Sequence, residues 1–125
     1  ANAGHVPVLV RSPRANVRVV GRASGPPLGV ITSARYRQEC TPLAHGETVV
    51  LMTDGVLEPI EPDLLGMSTI TRLLAEAPSG AARVERWLLS ALDRSANVER
   101  RDDATLLCLE VTRSARDASV LRRAS

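Results

Sequence analysis

Residues 48–55 read TVVLMTDG, and residues 48–53 of this stretch are predicted to form a strand. The apolar run at residues 49–52 has no polar position that would face water, so it predicts a strand buried on both faces. Asp54 and Gly55 then end the strand, since Asp-Gly is a common turn dipeptide. A carboxylate at the end of a buried strand is costly unless it is paired, caps a turn or binds a cation. Asp54 is therefore the first candidate functional residue.

Four further stretches predict strands around this one. They are residues 5–11 (HVPVLVR), 17–21 (VRVVG), 34–41 (ARYRQECT) and 104–112 (ATLLCLEVT). The first two place β-branched residues at alternate positions, and a polar turn at residues 12–16 joins them. This pattern is typical of a half-buried antiparallel pair.

After Pro62 the apolar period becomes helical. The first predicted helix carries Leu64, Leu65, Ile70, Leu73 and Leu74 on one face, and it ends at residues 78–80 (PSG). The second has Ser79 as its N-cap and carries Val84, Trp87, Leu88, Ala91 and Leu92. This order of elements predicts an α+β fold, with a mainly antiparallel β-sheet and two helices packed on one face. The other face needs a partner that this chain hardly has residues to supply.

The composition of the 125 residues excludes several classes of protein. With 44% hydrophobic and 24% charged residues, the chain is predicted to be globular rather than disordered or collagen-like. Its apolar runs fall short of the roughly 18 residues that a membrane span requires. All 16 basic residues are arginines, and they are scattered among 14 acidic residues. Nucleic-acid binding therefore has little support.

The two cysteines, Cys40 and Cys108, are far apart and outside any metal-ligand spacing. Each falls in a strand-like run, where a free thiol usually behaves as a small buried apolar group. The sequence also shows no signal peptide. A disulfide is the alternative, but we expect a reducing, cytoplasmic location.

A second acidic feature, Asp102-Asp103, lies directly before the last predicted strand. Two adjacent carboxylates repel each other, and a hard divalent cation relieves that repulsion. Asp54 and this pair both occupy strand ends, so they converge if the two strands are neighbours. Each feature alone has a plainer interpretation, because Asp-Gly turns are common and acidic pairs in loops are usually only solvated.

Four short motifs occur in order along the chain. They are NAGHVP at residues 2–7, PPLG at 26–29, LMTDGVLE at 51–58 and DDATLL at 102–107. Together they resemble the C-terminal half of the metal-dependent (PPM-type) protein serine/threonine phosphatases, in the SpoIIE-like and RsbU-like branch. The resemblance implies that residues 1–112 are the C-terminal part of a phosphatase domain, within a larger α-β-β-α sandwich. Residues 113–125 would be a tail or an interdomain linker.

The resemblance also implies roles for individual residues. Asp54 matches the metal-binding aspartate of the TDG motif, with the backbone of Gly55 beside the metal. Asp102 matches the aspartate that opens the DD-x-T motif and binds the same metal, while Asp103 orients water or the loop. His5 matches the histidine of a glycine-histidine turn close to the metal, which implies a supporting role. The alternative for His5 is a strand-entry residue that bonds to the backbone. Glu58 matches a recurrent acidic position, for which capping is the plainer interpretation.

Members of this family use two Mn²⁺ or Mg²⁺ ions, and a bridging water attacks the phosphorus of phosphoserine or phosphothreonine. The resemblance therefore implies an enzyme, a protein serine/threonine phosphatase. Its expected substrate is a phosphorylated anti-anti-sigma factor or a similar phosphoprotein, and its output is sigma-factor partner switching. The alternative is a pseudophosphatase, a module that binds a regulatory partner without chemistry.

The family's other metal-bridging aspartate lies in the N-terminal half of the domain, ahead of Ala1. A two-metal site cannot be completed from Asp54 and Asp102 alone. We therefore expect this chain to need the N-terminal half of the same domain and to be inactive when isolated. Fused sensor or kinase domains are further partners that the family implies.

Overall fold

The strands and helices follow the sequence pattern closely. The computed structural model describes residues 1–57, 64–95 and 103–113. Within these residues the elements are β1 (Val8–Arg11), β2 (Val17–Val20), β3 (Thr48–Met52), α1 (Leu64–Glu76), α2 (Ala81–Ser95) and β4 (Leu106–Glu110). A single 3₁₀ turn, Asp54–Val56, follows β3 directly. The predicted strands at 5–11, 17–21, 48–53 and 104–112 are therefore present, each shorter than expected. The predicted tail beyond residue 113 lies outside the described residues.

The four strands form one sheet in the order β2-β1-β3-β4, and every neighbouring pair is antiparallel. Leu9 of β1 faces Val50 of β3, and Val50 faces Cys108 of β4. The apolar strand β3 thus has neighbours on both sides. This arrangement confirms the predicted α+β fold with a mainly antiparallel sheet.

Both helices pack on one face of the sheet, as predicted. The buried cluster there joins Leu9, Val50 and Met52 of the sheet to Ile70 and Leu74 of α1 and to Val84, Leu88 and Leu92 of α2. The helices also contact each other directly, because the indole Nε1 of Trp87 donates to the Leu73 carbonyl at 2.9 Å. Burial of this apolar surface is the main stabilising term of the fold.

The opposite face of the sheet is incompletely covered. Leu107 and Leu109 of β4 are each 49% exposed, and Val49 and Leu51 of β3 are only half-buried. The expectation that residues 48–53 are buried on both faces is therefore wrong within the described residues. The physical reason is that the helices cover only one side of β3.

Residues 34–41 do not form the predicted strand. They run as a loop that side chains fasten to residues 24–26: the Tyr36 hydroxyl donates to the Pro26 carbonyl at 2.9 Å, and the Arg37 amide donates to Ser24 Oγ at 3.2 Å. Cys40 is exposed in this loop, contrary to expectation. Polar residues occupy most of the stretch, so it offers a sheet little apolar surface to bury.

Cys108 behaves as predicted for a free thiol in a strand. It lies half-buried against the core, and neither cysteine forms a disulfide. Burial raises the pKa of the Cys108 thiol to about 11, and the negative charge of Glu85 acts in the same direction. The thiol is therefore protonated near neutral pH.

The segment that leads into β3 is held by an ion pair between a partly exposed arginine and a buried carboxylate. Arg18 of β2 and Glu47 pair through both guanidinium nitrogens, and the Ala44 amide donates to Glu47 Oε2 at 2.8 Å. The hydrogen bonds from Arg18, followed by the one from Ala44, lower the pKa of Glu47. The carboxylate thus fixes the loop on the sheet while remaining ionised.

The end of the sheet where β1 and β4 finish holds both helices by their termini. Arg11 is buried and donates from Nε to the Leu74 carbonyl at 2.9 Å and from Nη2 to the Ala77 carbonyl at 2.6 Å. Glu110 Oε2 accepts from the Ala81 amide, the first of α2, at 3.4 Å. The cationic Arg11 thus lies at the C-terminus of α1, and the anionic Glu110 lies at the N-terminus of α2. Both placements are favoured by the helix dipoles.

The N-cap prediction for Ser79 is wrong by one residue. The helix α2 begins at Ala81, and the Gly80 carbonyl accepts from the amides of Arg83 and Val84. The Ser79 hydroxyl instead accepts a hydrogen bond from Arg11 Nη1 at 3.3 Å. The side chain that the sequence predicts as the N-cap of α2 is therefore bonded to the buried Arg11 instead.

Arg11→Met should lower the free energy of unfolding by about 2–4 kcal/mol, because two main-chain carbonyls at the end of α1 would lose their charged donor. Urea unfolding of the intact protein measures this change. Arg14→Met, which alters an exposed arginine of the adjacent turn, should stay within about 0.5 kcal/mol. Equal losses in the two variants would contradict the assigned role of Arg11.

Candidate functional site

The sequence motifs meet at one end of the sheet. Because Leu9 faces Val50 in an antiparallel pair, β1 begins where β3 ends. Met52 faces Leu106 in the next antiparallel pair, so β4 begins at the same place. His5, Asp54 and Asp103 precede or follow these strand ends. We call this part of the molecule, defined by Asp54 and Asp103, the acidic end of the sheet.

The expected convergence of the TDG and DD-x-T motifs thus occurs for the residues that the structure describes. The Thr53 amide donates to the Thr105 carbonyl at 3.0 Å, so the β3–β4 pairing continues for one residue past Met52. Thr53 Oγ1 also accepts from the Thr105 amide at 2.9 Å and donates to the Asp103 carbonyl at 3.2 Å. Asp102 and Glu58, for which the sequence predicts roles, lie outside the described residues.

Asp54 is exposed at the first position of the 3₁₀ turn. Its Oδ1 accepts from the Gly55 amide at 3.1 Å, and its carbonyl accepts from the Leu57 amide at 2.7 Å. The capping interpretation of Asp54 is therefore partly realised, because the carboxylate bonds to its own turn. The exposed carboxylate is also accessible to a cation. Gly55 is buried directly behind it.

His5 is exposed and bonded to the backbone. Its amide donates to Asn2 Oδ1 at 2.7 Å, and its ring Nδ1 lies 2.9 Å from the Val6 carbonyl. Because a carbonyl only accepts, the neutral ring carries its proton on Nδ1 and keeps the lone pair on Nε2. The plainer interpretation of His5 is thus present, and its supporting role beside a metal stays a prediction.

The Asn2 side chain stabilises the glycine-histidine turn, a role that the sequence did not predict. Its Nδ2 donates to the His5 carbonyl at 2.9 Å and to the Gly21 carbonyl at 2.7 Å. Gly4 has a φ of +78°, and a Cβ there would lie 2.7 Å from Pro27 Cδ. The first and second motifs therefore pack against each other. The available signal was an Asn two residues before a glycine, which is common in side-chain-capped turns.

The donor set at the acidic end suits a hard divalent ion. Asp54 and Asp103 offer carboxylate oxygens, the ligands that Mg²⁺ and Mn²⁺ prefer, and both residues are exposed. Among residues 1–57, 64–95 and 103–113, no group of three or more His, Cys, Asp or Glu side chains is placed to hold a metal.

The same part of the chain has no helix long and apolar enough to cross a membrane.

A family model for stage II sporulation protein E (SpoIIE) matches residues 1–112. The chain belongs to the SpoIIE family. This membership confirms the resemblance that the four motifs indicate. Comparison with the curated proteins finds no match.

Solved structures show the fold of this SpoIIE-family chain in other proteins. The PP2C phosphatase domain of SpoIIE from Bacillus subtilis is 17% identical with a TM-score of 0.76, over 90% of this chain and 33% of that chain. A Mn-presoaked form of that phosphatase domain is 18% identical with a TM-score of 0.69, over 90% of this chain and 49% of that chain. The RsbU and RsbW domains of a Mycobacterium tuberculosis protein are 26% identical with a TM-score of 0.70, over 98% of this chain and 37% of that chain. This chain therefore spans between a third and a half of the chains it matches.

Asn2→Ala should destabilise the glycine-histidine turn by about 1–3 kcal/mol, because the His5 amide and the Gly21 carbonyl would lose their partner. Amide hydrogen exchange at His5 and Val6 in the intact protein should become correspondingly faster. Asn16→Ala is the matched control, since Asn16 is an exposed asparagine of the β1–β2 turn. Unchanged exchange at His5 in Asn2→Ala would show that this side chain does not hold the turn.

Proposed function

We propose that residues 1–112 are the C-terminal part of a metal-dependent protein serine/threonine phosphatase domain, with residues 113–125 as a tail or linker. The observation that supports this most is the pairing of Thr53 with Thr105 at the acidic end of the sheet. It brings the segment that begins at Asp103 alongside the residue before Asp54. Asp54 and Asp103, which are 49 positions apart in the sequence, thus lie at the same end of the sheet.

In this proposal Asp54 and Asp102 are the direct ligands of a Mn²⁺ or Mg²⁺ ion, and the complete domain holds two such ions. A bound divalent ion neutralises phosphate charge and lowers the pKa of an attacking water. Asp103 orients that water or the loop, and the buried Gly55 lets the backbone lie close behind the ligands. The Mn-presoaked form of the similar SpoIIE phosphatase domain is consistent with this choice of metals.

His5 is proposed to support the centre rather than to bind the metal. The bond from Nδ1 to the Val6 carbonyl fixes the ring, and the Asn2 side chain fixes the turn that carries it. Nε2 can then accept a hydrogen bond from a water or a neighbouring group. In this role His5 orients solvent at the acidic end of the sheet.

The proposed substrate is a phosphoserine or phosphothreonine of a protein, in particular a phosphorylated anti-anti-sigma factor. The similar Mycobacterium tuberculosis protein joins an RsbU domain to an RsbW domain, which supports a partner-switching role. The chain spans only a third to a half of its solved relatives, so the remaining ligands would come from the N-terminal half of the domain. We propose a cytoplasmic location, consistent with free thiols at Cys40 and Cys108.

Asp54→Asn in the full-length protein should reduce manganese-dependent hydrolysis of a phosphoserine protein by roughly 100-fold or more, because a metal ligand would lose its charge. Turnover with saturating Mn²⁺ and Mn²⁺ affinity by isothermal titration calorimetry measure this. Asp93→Asn, which removes an exposed carboxylate on α2, is the matched control and should stay near the wild type.

Unchanged turnover in Asp54→Asn would reject the metal role of this residue. Full Mn²⁺ binding without hydrolysis in the wild type would favour the pseudophosphatase. A wild type that hydrolyses the substrate equally well in the presence of excess chelator would reject metal dependence altogether.

A further inference from the structure

The end of β3 has to satisfy two demands at the same residue. The chain turns immediately after Met52, and the Thr53 carbonyl accepts from the Val56 amide at 3.1 Å to close the 3₁₀ turn. At the same position the chain is still paired with β4, because the Thr53 amide donates to the Thr105 carbonyl at 3.0 Å. The backbone of Thr53 is therefore shared between a turn and a ladder.

A regular antiparallel ladder would make a second bond here. In a hydrogen-bonded pair the two residues exchange both N–H···O bonds, so the Thr105 amide would donate to the Thr53 carbonyl. That carbonyl is the acceptor of the 3₁₀ turn. The Thr105 amide instead donates to the Thr53 hydroxyl at 2.9 Å. The side chain thus takes the place of the main-chain acceptor.

The same hydroxyl also contributes its proton. Thr53 Oγ1 donates to the Asp103 carbonyl at 3.2 Å, so one side chain satisfies two backbone groups of residues 103–105. Other groups of the turn are already used: the Gly55 amide donates to Asp54 Oδ1, and the Leu57 amide donates to the Asp54 carbonyl. The hydroxyl therefore joins the turn after β3 to the start of β4, together with the Thr53 amide.

We propose that Thr53 is a positioning residue whose hydroxyl sets the spacing between Asp54 and the segment that begins at Asp103. This inference rests on the proposed function, since it assumes that the TDG and DD-x-T motifs serve one divalent ion. Valine has nearly the shape of threonine but can neither donate nor accept. Replacing the hydroxyl would leave the Thr105 amide and the Asp103 carbonyl without these bonds, so the segment would be held less firmly, although the bond from the Thr53 amide to the Thr105 carbonyl would remain.

The test uses four variants of the full-length protein. Thr53→Val removes the hydroxyl, and Thr53→Ser restores it. Thr71→Val is the matched control, because Thr71 Oγ1 also donates to a main-chain carbonyl, that of Met67 at 2.8 Å, but within α1. Asp54→Asn reports on the metal site itself. Two quantities are measured for each variant: amide hydrogen exchange at residues 103–106 without metal, and Mn²⁺ affinity by isothermal titration calorimetry.

In Thr53→Val we expect exchange at residues 103–106 to rise by roughly tenfold or more. Mn²⁺ affinity should fall by roughly 10- to 100-fold, the usual effect of removing a group that orients metal ligands. Thr53→Ser and Thr71→Val should keep both quantities close to the wild type. If Thr53→Val does not fold by near-ultraviolet circular dichroism, Thr53→Ala carries the same comparison with Thr53→Ser.

Three results would overturn the inference. Wild-type Mn²⁺ affinity in Thr53→Val, together with its loss in Asp54→Asn, rejects the positioning role and leaves the proposed function standing. Wild-type affinity in both variants rejects the two proposals together. A loss of affinity in Thr53→Ser as large as in Thr53→Val also rejects the role, because the hydroxyl would then not be the deciding group.

Discussion

The pairing of β3 with β4 is the interaction on which the account of this chain depends. The two strands are adjacent and antiparallel, so the residue after the end of one lies beside the residues before the start of the other. Antiparallel pairing alone would end at Met52 and Leu106. The contacts of Thr53 with residues 103–105 extend it past the strand end and into the two acidic motifs. The candidate site therefore depends on β3 and β4 being neighbours and on the Thr53 side chain at the end of β3.

The two ends of the sheet use charged residues differently. At the end opposite to the acidic end, Arg11 is buried and bonded to carbonyls at the end of α1, and Glu110 meets the first amide of α2. These charged side chains stabilise the positions of the two helix termini on the sheet. At the acidic end, Asp54 and Asp103 are exposed. The charges that anchor the helices and the proposed metal site thus lie at opposite ends of the same strands, roughly 17 Å apart for strands of five residues.

Much of this arrangement can be predicted from the sequence, because it follows from the period of apolar residues. The alternation in residues 5–11 and 17–21 predicts β1 and β2, and the helical period after Pro62 predicts α1 and α2. The sequence also predicts that the two acidic motifs lie close together, provided that their strands are neighbours in the sheet. The metal roles of Asp54, Asp102 and Asp103 stay predictions, and Asp102 lies outside the described residues.

Several of the errors have a common physical cause. The period of apolar residues in a sequence predicts which face of a strand or helix is buried. It does not predict which side chains will form hydrogen bonds in place of main-chain groups. Residues 34–41 form, instead of a strand, a loop that bonds to Ser24 and Pro26. Ser79 bonds to Arg11 rather than capping α2. Thr53 and Asn2 were missed for the same reason, since each takes over backbone bonds that only the folded chain defines.

The most direct measurement of the central claim is paramagnetic broadening of amide signals by Mn²⁺ in the full-length protein. The account predicts that substoichiometric Mn²⁺ broadens the signals of Gly55 and Ala104 together, while the signals of Arg11 and Glu110 at the far end of the sheet stay sharp. Broadening of only one of Gly55 and Ala104, or of neither when Mn²⁺ is shown to be bound, would contradict a single metal centre between the two motifs.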